Sequence, residues 1–229
     1  MRKLVKLSGL VALLAVLLGS AAQALDLSSI TNTDAVSALR TALTQGADKA
    51  VTSLGQTDGF LGNPEVKIPL PPNLQKLDKK LRRYGLSAQA DELITTMNRA
   101  AEAAVPLAKP LLVNAVKDMS VTDAKNILTG ADDSATQYFR DKTSASLIEI
   151  FKPIVADANS KAGVVKAYNS VAKPLARFGL IDTKQADLDA YVTQAALDGM
   201  FKMVANEERA IRQDPIGQTS SILRKVFGQ

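Results

Sequence analysis

The chain has 229 residues, with 28 Lys+Arg against 23 Asp+Glu, and it contains no His, Cys or Trp. Without Cys there is no disulfide, no thiolate nucleophile and no Cys-ligated zinc or iron–sulfur site. Without His the commonest general base and transition-metal ligand are missing, and aromatics at 4% leave little for stacking sugars or bases.

Arg2, Lys3 and Lys6 form a positive start, Leu7 to Leu18 an apolar run, and Ala22-Gln23-Ala24 a small-x-small cleavage pattern. The run falls short of the ~20 residues a spanning helix needs and ends in Gly19-Ser20. These features predict a signal peptide over 1–24, cleaved after about Ala24, and a periplasmic mature chain without a transmembrane segment. Loss of the three basic residues lowers the formal net charge from +5 to +2, too little to favour nucleic acid as a partner. No cofactor and no metal are expected.

The mature chain, 25–229, reads as a single all-α multi-helix domain. Val36, Leu39, Leu43, Ala47, Ala50, Val51 and Leu54 recur at helical spacing, with Thr33 or Asp34 as N-cap and Gly55 as stop. Gln56 to Asn73, rich in Gly and Pro, predicts an extended strap laid across the helices, because Phe60, Leu61, Val66, Ile68 and Leu70 are too apolar for a solvated linker. Leu74, Leu77, Leu81 and Tyr84 predict a short helix closed by Gly85. A long helix capped by Ser87 follows, with a kink or break at Pro106 and Pro110. Ser120 and Asp123 form a capping-box pattern opening a short helix that ends before Gly130. Further helices are expected from about Asp132, Thr143, Gly163, Gln185 and Gln218. No period-two alternation is apparent.

Two stretches repeat each other. Leu81-Arg82-Arg83-Tyr84-Gly85-Leu86 parallels Leu175-Ala176-Arg177-Phe178-Gly179-Leu180, and Gln89-Ala90-Asp91 recurs as Gln185-Ala186-Asp187. At that same offset of 96, Asn98 falls on Gln194 and Glu102 on Asp198. The pattern predicts related units over 74–130 and 168–228 whose long helices bring these four side chains near one another; convergent helix C-caps are the alternative.

Glu208 lies on the apolar stripe of Leu197, Phe201, Val204 and Ile211, with Arg212 four residues on, and Arg99 pairs with Glu102 at i,i+3. Glu102, Asp198 and Glu208 are the weak candidates for acid/base carboxylates of a hydrolase or lyase. A structural ionic cluster of Asn98, Arg99, Glu102, Gln194, Asp198, Glu208 and Arg212 explains them better, since no phosphate loop or nucleophile elbow accompanies them. Lys76, Lys79, Lys80, Arg82 and Arg83 form a basic patch, a solvated helix face or a dock for anionic lipid or an envelope protein. The Lys-Pro pairs at 109, 152 and 173 read as helix starts or kinks. Asp132-Asp133 suits a helix N-terminus better than calcium, whose loop spacing is missing. The Ala-rich faces (Ala100, Ala101, Ala103, Ala104, Ala108) suit close helix packing, with an apolar-ligand carrier as the other reading.

Taken together, Asp58-Gly59-Phe60, Ile68-Pro69-Leu70-Pro71, Asn98-Arg99-Ala100-Ala101-Glu102, Ala135-Thr136-Gln137-Tyr138-Phe139, Ala196-Leu197-Asp198-Gly199-Met200-Phe201 and Arg224-Lys225-Val226-Phe227-Gly228 carry a resemblance. The chain resembles, over about Ser37 to Gly228, an exported Gram-negative family catalogued as domain of unknown function 4197. The resemblance implies a helical domain behind a signal peptide and supplies no activity, substrate or catalytic residue. The sequence therefore points to a non-enzymatic binding or scaffolding role in the cell envelope.

Overall fold

The three- and four-residue apolar repeat of residues 36–54 forms helix α1 (Asn32–Leu54), which buries Val36, Leu39, Leu43, Ala47, Ala50, Val51 and Leu54. A computed structural model of the protein describes residues 32–76, 82–83, 85, 87–161, 163–179 and 188–213. The leader, Leu77, Leu81 and Tyr84 of the expected short helix, Lys79 and Lys80, the Gln185-Ala186-Asp187 repeat, the helix expected from Gln218 and the Arg224–Gly228 motif lie outside the described residues. Helix α1 starts at least one residue before either N-cap expected for it.

After Gly55 the chain turns tightly to Val66 and then runs extended to Pro71. In this strap Val66, Ile68 and Leu70 are buried while Lys67 and Pro69 are exposed. That is the period-two alternation of a strand, used on a segment that lies on helices. A short helix α2 (Pro72–Gln75) follows, opened by proline at its first turn.

The long helix breaks at its prolines. Helix α3 (Ser87–Ala104) passes through a 3₁₀ turn, Val105–Ala108, into α4 (Lys109–Lys117), with Pro106 and Pro110 each in a first turn where a missing N–H costs little. Helix α5 (Val121–Thr129) carries the reciprocal capping box: Asp123 N–H donates to Ser120 Oγ at 3.1 Å, and Ser120 N–H donates to Asp123 Oδ2 at 2.9 Å. Two separate helices were expected from Asp132 and Thr143, but one helix, α6 (Ser134–Lys161), runs through. The hydroxyls that read as a start signal bond backwards instead, Thr143 Oγ1 to the Phe139 carbonyl and Ser144 Oγ to that of Arg140, both at 2.6 Å. Helices α7 (Val164–Arg177) and α8 (Leu188–Gln213) complete the described chain. Pro153 and Pro174 sit inside α6 and α7, so of the three Lys-Pro pairs only Lys109-Pro110 marks a helix start.

Helices α6 and α8 share the most extensive contact; α1 packs on α8 and α4, and α3 packs on α6, α7 and α8. Phe60, Phe139, Phe151 and Phe201 are fully buried in one continuous core. Ala100, Ala101, Ala104 and Ala108 face that core and allow the close approach, whereas Ala103 faces solvent. The described residues contain no strand, and the fold is all-α.

Candidate functional site

Helix α3 presents Asn98, Arg99 and Glu102 to the strap. Asn98 is fully buried and its amide pairs with both backbone polar groups of Ile68. The Ile68 N–H donates to Asn98 Oδ1 at 2.8 Å, and Asn98 Nδ2 donates to the Ile68 carbonyl at 2.8 Å. One side chain thus replaces the neighbouring strand that an extended segment otherwise requires. Glu102, 5% exposed, accepts the N–H groups of Phe60 at 3.1 Å and Leu61 at 3.2 Å on one oxygen. Its other oxygen takes Arg99 at 2.6 Å, and Arg99 also reaches Asp58 at 2.7 Å. Hydrogen bonds to Glu102 and then Asp58 hold the Arg99 guanidinium above its ordinary pKa. Asp58 takes a left-handed backbone, φ 67°, at the start of the turn. The next residue must be glycine, because a Cβ on Gly59 would lie 2.5 Å from the Leu54 carbonyl oxygen.

Helix α8 holds the strap as well. Tyr191 Oη donates to the Pro69 carbonyl at 3.1 Å, Lys202 Nζ to the Glu65 carbonyl at 2.9 Å, and Asn206 Nδ2 to the Glu65 carboxylate at 2.9 Å. Burial raises the Tyr191 pKa, and the hydrogen bond with Gln75 offsets part of that rise. Gly199 gives Phe60 its seat: a Cβ there would meet the Phe60 ring at 2.7 Å and Val66 Cβ at 3.3 Å.

Glu208 occupies a separate place. It is 4% exposed and accepts Ala135 N–H at 2.9 Å, Thr136 N–H at 2.8 Å and Thr136 Oγ1 at 2.8 Å. Arg212 pairs with it at 2.9 Å and donates as well to the Ile127 carbonyl near the end of α5. A carboxylate from α8 therefore caps the N-terminus of α6, and its arginine satisfies a carbonyl in the last turn of α5. Asp132 and Asp133 stand exposed immediately before Ser134, at the helix start where they are expected, and Glu208 adds a buried carboxylate to the same N-terminus.

Asp198 is exposed, accepts from Gln194 at 3.1 Å and faces Arg140 at 3.5 Å, while Arg140 stacks over Phe201 at 4.7 Å. Glu208 lies ten residues further along α8, about 15 Å by helical rise. The structure brings Asn98, Arg99 and Glu102 together, pairs Gln194 with Asp198, and sets Glu208 with Arg212 elsewhere. Asn98 and Glu102 hold the strap and Gln194 and Asp198 do not, so the residues matched by the offset of 96 stand in different surroundings. The turns before them are alike: Gly85 (φ 72°) donates to the Arg82 carbonyl and Gly179 (φ 66°) to that of Ala176.

Of the basic run, Lys76, Arg82 and Arg83 are described and exposed, with Arg82 3.7 Å from Asp91. No group of three Asp or Glu among the described residues is placed to hold a metal ion. An apolar hollow between α1, α5, α6 and α8, lined by Leu39, Leu43, Ile127 and Ile211, has a volume of about 10 Å³, far below what an apolar cargo fills. A surface cleft of about 600 Å³ beside α5 and the start of α6 is lined by Asp123, Asp133, Gln137, Tyr138, Asp141 and Lys142. Hydrogen bonds from Ser120 hold the Asp123 carboxyl below its ordinary range, and burial, followed by Asp123 and Asp118, raises Tyr138. No described helix is long and apolar enough to cross a membrane. The strap-binding roles of Tyr191, Lys202 and Asn206 escape sequence reasoning. The alternation of Val66, Ile68 and Leu70 is the signal that marks what they hold.

Fold and site define an all-α domain that clamps its own extended Pro-rich segment onto two helices by side-chain hydrogen bonds. The chain belongs to the family described as Protein of unknown function (DUF4197), whose profile matches residues 29–228. Comparison with curated proteins and with solved structures found no match.

Proposed function

We propose that this protein is a non-enzymatic binding or scaffolding domain of the bacterial cell envelope, exported to the periplasm after cleavage near Ala24. The observation that carries the reading is how its buried carboxylates are used. Glu102 accepts two backbone N–H groups and Arg99; Glu208 accepts two backbone N–H groups, the Thr136 hydroxyl and Arg212. A general acid or base needs a lone pair or proton free to face substrate. These two oxygen pairs are occupied by the fold's own donors, and the exposed Asp198 stands apart from both. The related turns at Gly85 and Gly179 support reading 74–130 and 168–228 as duplicated units.

Native mass spectrometry of the protein recovered from periplasm tests the reading. The expected result is an N-terminus near Leu25 and a stoichiometric lipid or protein partner. Recovery of the chain with its leader intact in the cytosol overturns the envelope assignment. Turnover of a substrate that is lost in Glu102→Gln or Glu208→Gln, with folding retained, overturns the non-enzymatic one.

A further inference from the structure

Helix α7 contains no Asp or Glu, and none occurs between Asp157 and Asp182, a stretch that includes Lys161, Lys166, Lys173 and Arg177. Lys161 is neutralised by Asp157 at 2.7 Å. The other three are not: among the described residues no carboxylate pairs with Lys166, Lys173 or Arg177. Lys166, Ser170, Lys173 and Arg177 are all exposed, and their spacing of four, three and four residues confines them to an arc of roughly 60°. Tyr168 and Leu175, on the opposite face, are buried in the core. The cations form a straight line about 16 Å long on the outermost side of the helix. Just past its end stands Phe178, 64% exposed.

Such a line works against the fold, since Lys173 and Arg177 are like charges at i,i+4 and no acid interrupts them. It suits an external anion that is flat and continuous. A row of charges on a convex rod meets a planar surface along its whole length, and an exposed aromatic beside it fits the boundary between headgroups and acyl chains. An acidic protein would need a matching concave strip and gives Phe178 no role. We infer that the outer face of α7 docks the protein on an anionic phospholipid surface. Lys166, Lys173 and Arg177 lie on the headgroup phosphates and Phe178 dips beneath them. This inference rests on the envelope-binding reading above and names its surface.

The test is co-sedimentation of the exported, processed protein with vesicles of phosphatidylcholine alone or with phosphatidylglycerol added, at low and physiological salt. Wild type binds the phosphatidylglycerol vesicles, more weakly as salt rises, and ignores the neutral ones. Lys166→Gln/Lys173→Gln/Arg177→Gln loses about 100-fold in partitioning, at about fivefold per cation. Phe178→Ser loses several-fold on the same vesicles. Lys166→Arg/Lys173→Arg, which keeps the charge, binds as wild type and guards against a folding defect in the triple variant. Failure of wild type to bind, or full binding by the folded triple variant, overturns the inference. Equal loss in Arg82→Gln/Arg83→Gln moves the lipid contact to the other basic run, leaving the envelope reading intact and this one refuted. Tighter retention on polyglutamate than on vesicles reassigns the face to an acidic protein. The envelope reading is judged separately, by the N-terminus and the fraction in which the protein is recovered.

Discussion

Replacing Glu208 by alanine removes the acceptor of two buried N–H groups at the start of α6, of the Thr136 hydroxyl, and of Arg212, whose side chain is only 15% exposed. Breaking a buried ion pair from one side costs about 3–5 kcal/mol, and each orphaned donor about 1–3 kcal/mol. Loss of negative charge at a partly buried helix N-terminus costs up to ~2 kcal/mol. These figures overlap, because each counts the same desolvated groups from a different partner, and about 4 kcal/mol is the working magnitude. At ~2–4 °C per kcal/mol for a domain of this size, the melting temperature falls by roughly 10 °C. Glu208→Gln keeps one acceptor oxygen and the side-chain volume, so it loses about half as much. Arg212→Ala costs about 1–2 kcal/mol, since Glu208 retains its backbone partners. Scanning calorimetry of the three variants gives the order Glu208→Ala, Glu208→Gln, Arg212→Ala. An unchanged melting temperature for Glu208→Ala, or Arg212→Ala as damaging as Glu208→Ala, refutes the view that this carboxylate joins α8 to α6.

Asn98→Ala leaves the N–H and the carbonyl of Ile68 without their partner and lowers stability by about 2–3 kcal/mol, read from the urea midpoint; hydrogen exchange at the Ile68 amide accelerates with it, and an unchanged rate contradicts the clamp. Gly199→Ala pushes a methyl into the Phe60 ring at 2.7 Å and costs about 1–3 kcal/mol, although alanine is the better helix former; a stabilised variant would contradict this packing. Ser120→Ala removes the capping box and about 1 kcal/mol. By NMR titration it also lets the Asp123 carboxyl rise toward its ordinary value. The depressed Asp123 stabilises the fold above the ordinary carboxylate pKa and loses that contribution as pH falls through its folded value. Tyr138 and Tyr191 have the opposite sign: burial raises both above their ordinary 10.0. The native state holds these protons longer, so the stability they contribute is complete below pH 10.0 and is lost as pH climbs through their folded values. The urea midpoint therefore declines on the alkaline side, and Tyr138→Phe flattens that decline.

Much of the architecture was legible because helical signals are local. The capping box at Ser120, the proline break near Pro106 and the apolar stripe of α1 depend on residues three or four apart, which sequence order displays directly. Thr143 misled for the same reason: a hydroxyl before an apolar run serves equally as a cap or as a back-bonding side chain inside a helix, and the packing of α6 on α8 selects the second. The i,i+3 and i,i+4 pairs of Arg99 with Glu102 and of Glu208 with Arg212 were legible too. Their purpose was not, because it lies in contacts 41 and 72 residues away, with Leu61 and Thr136.

Residue order thus establishes the all-α class, the non-helical strap and the absence of His and Cys chemistry, all consequences of composition and short-range spacing. Three-dimensional packing assigns the carboxylates. Glu102 and Glu208 became acceptors for backbone N–H groups because the strap and the start of α6 bury donors that no neighbour along the chain can satisfy. The same packing turned Tyr168 and Leu175 inward and left Lys166, Lys173 and Arg177 in a line on the surface.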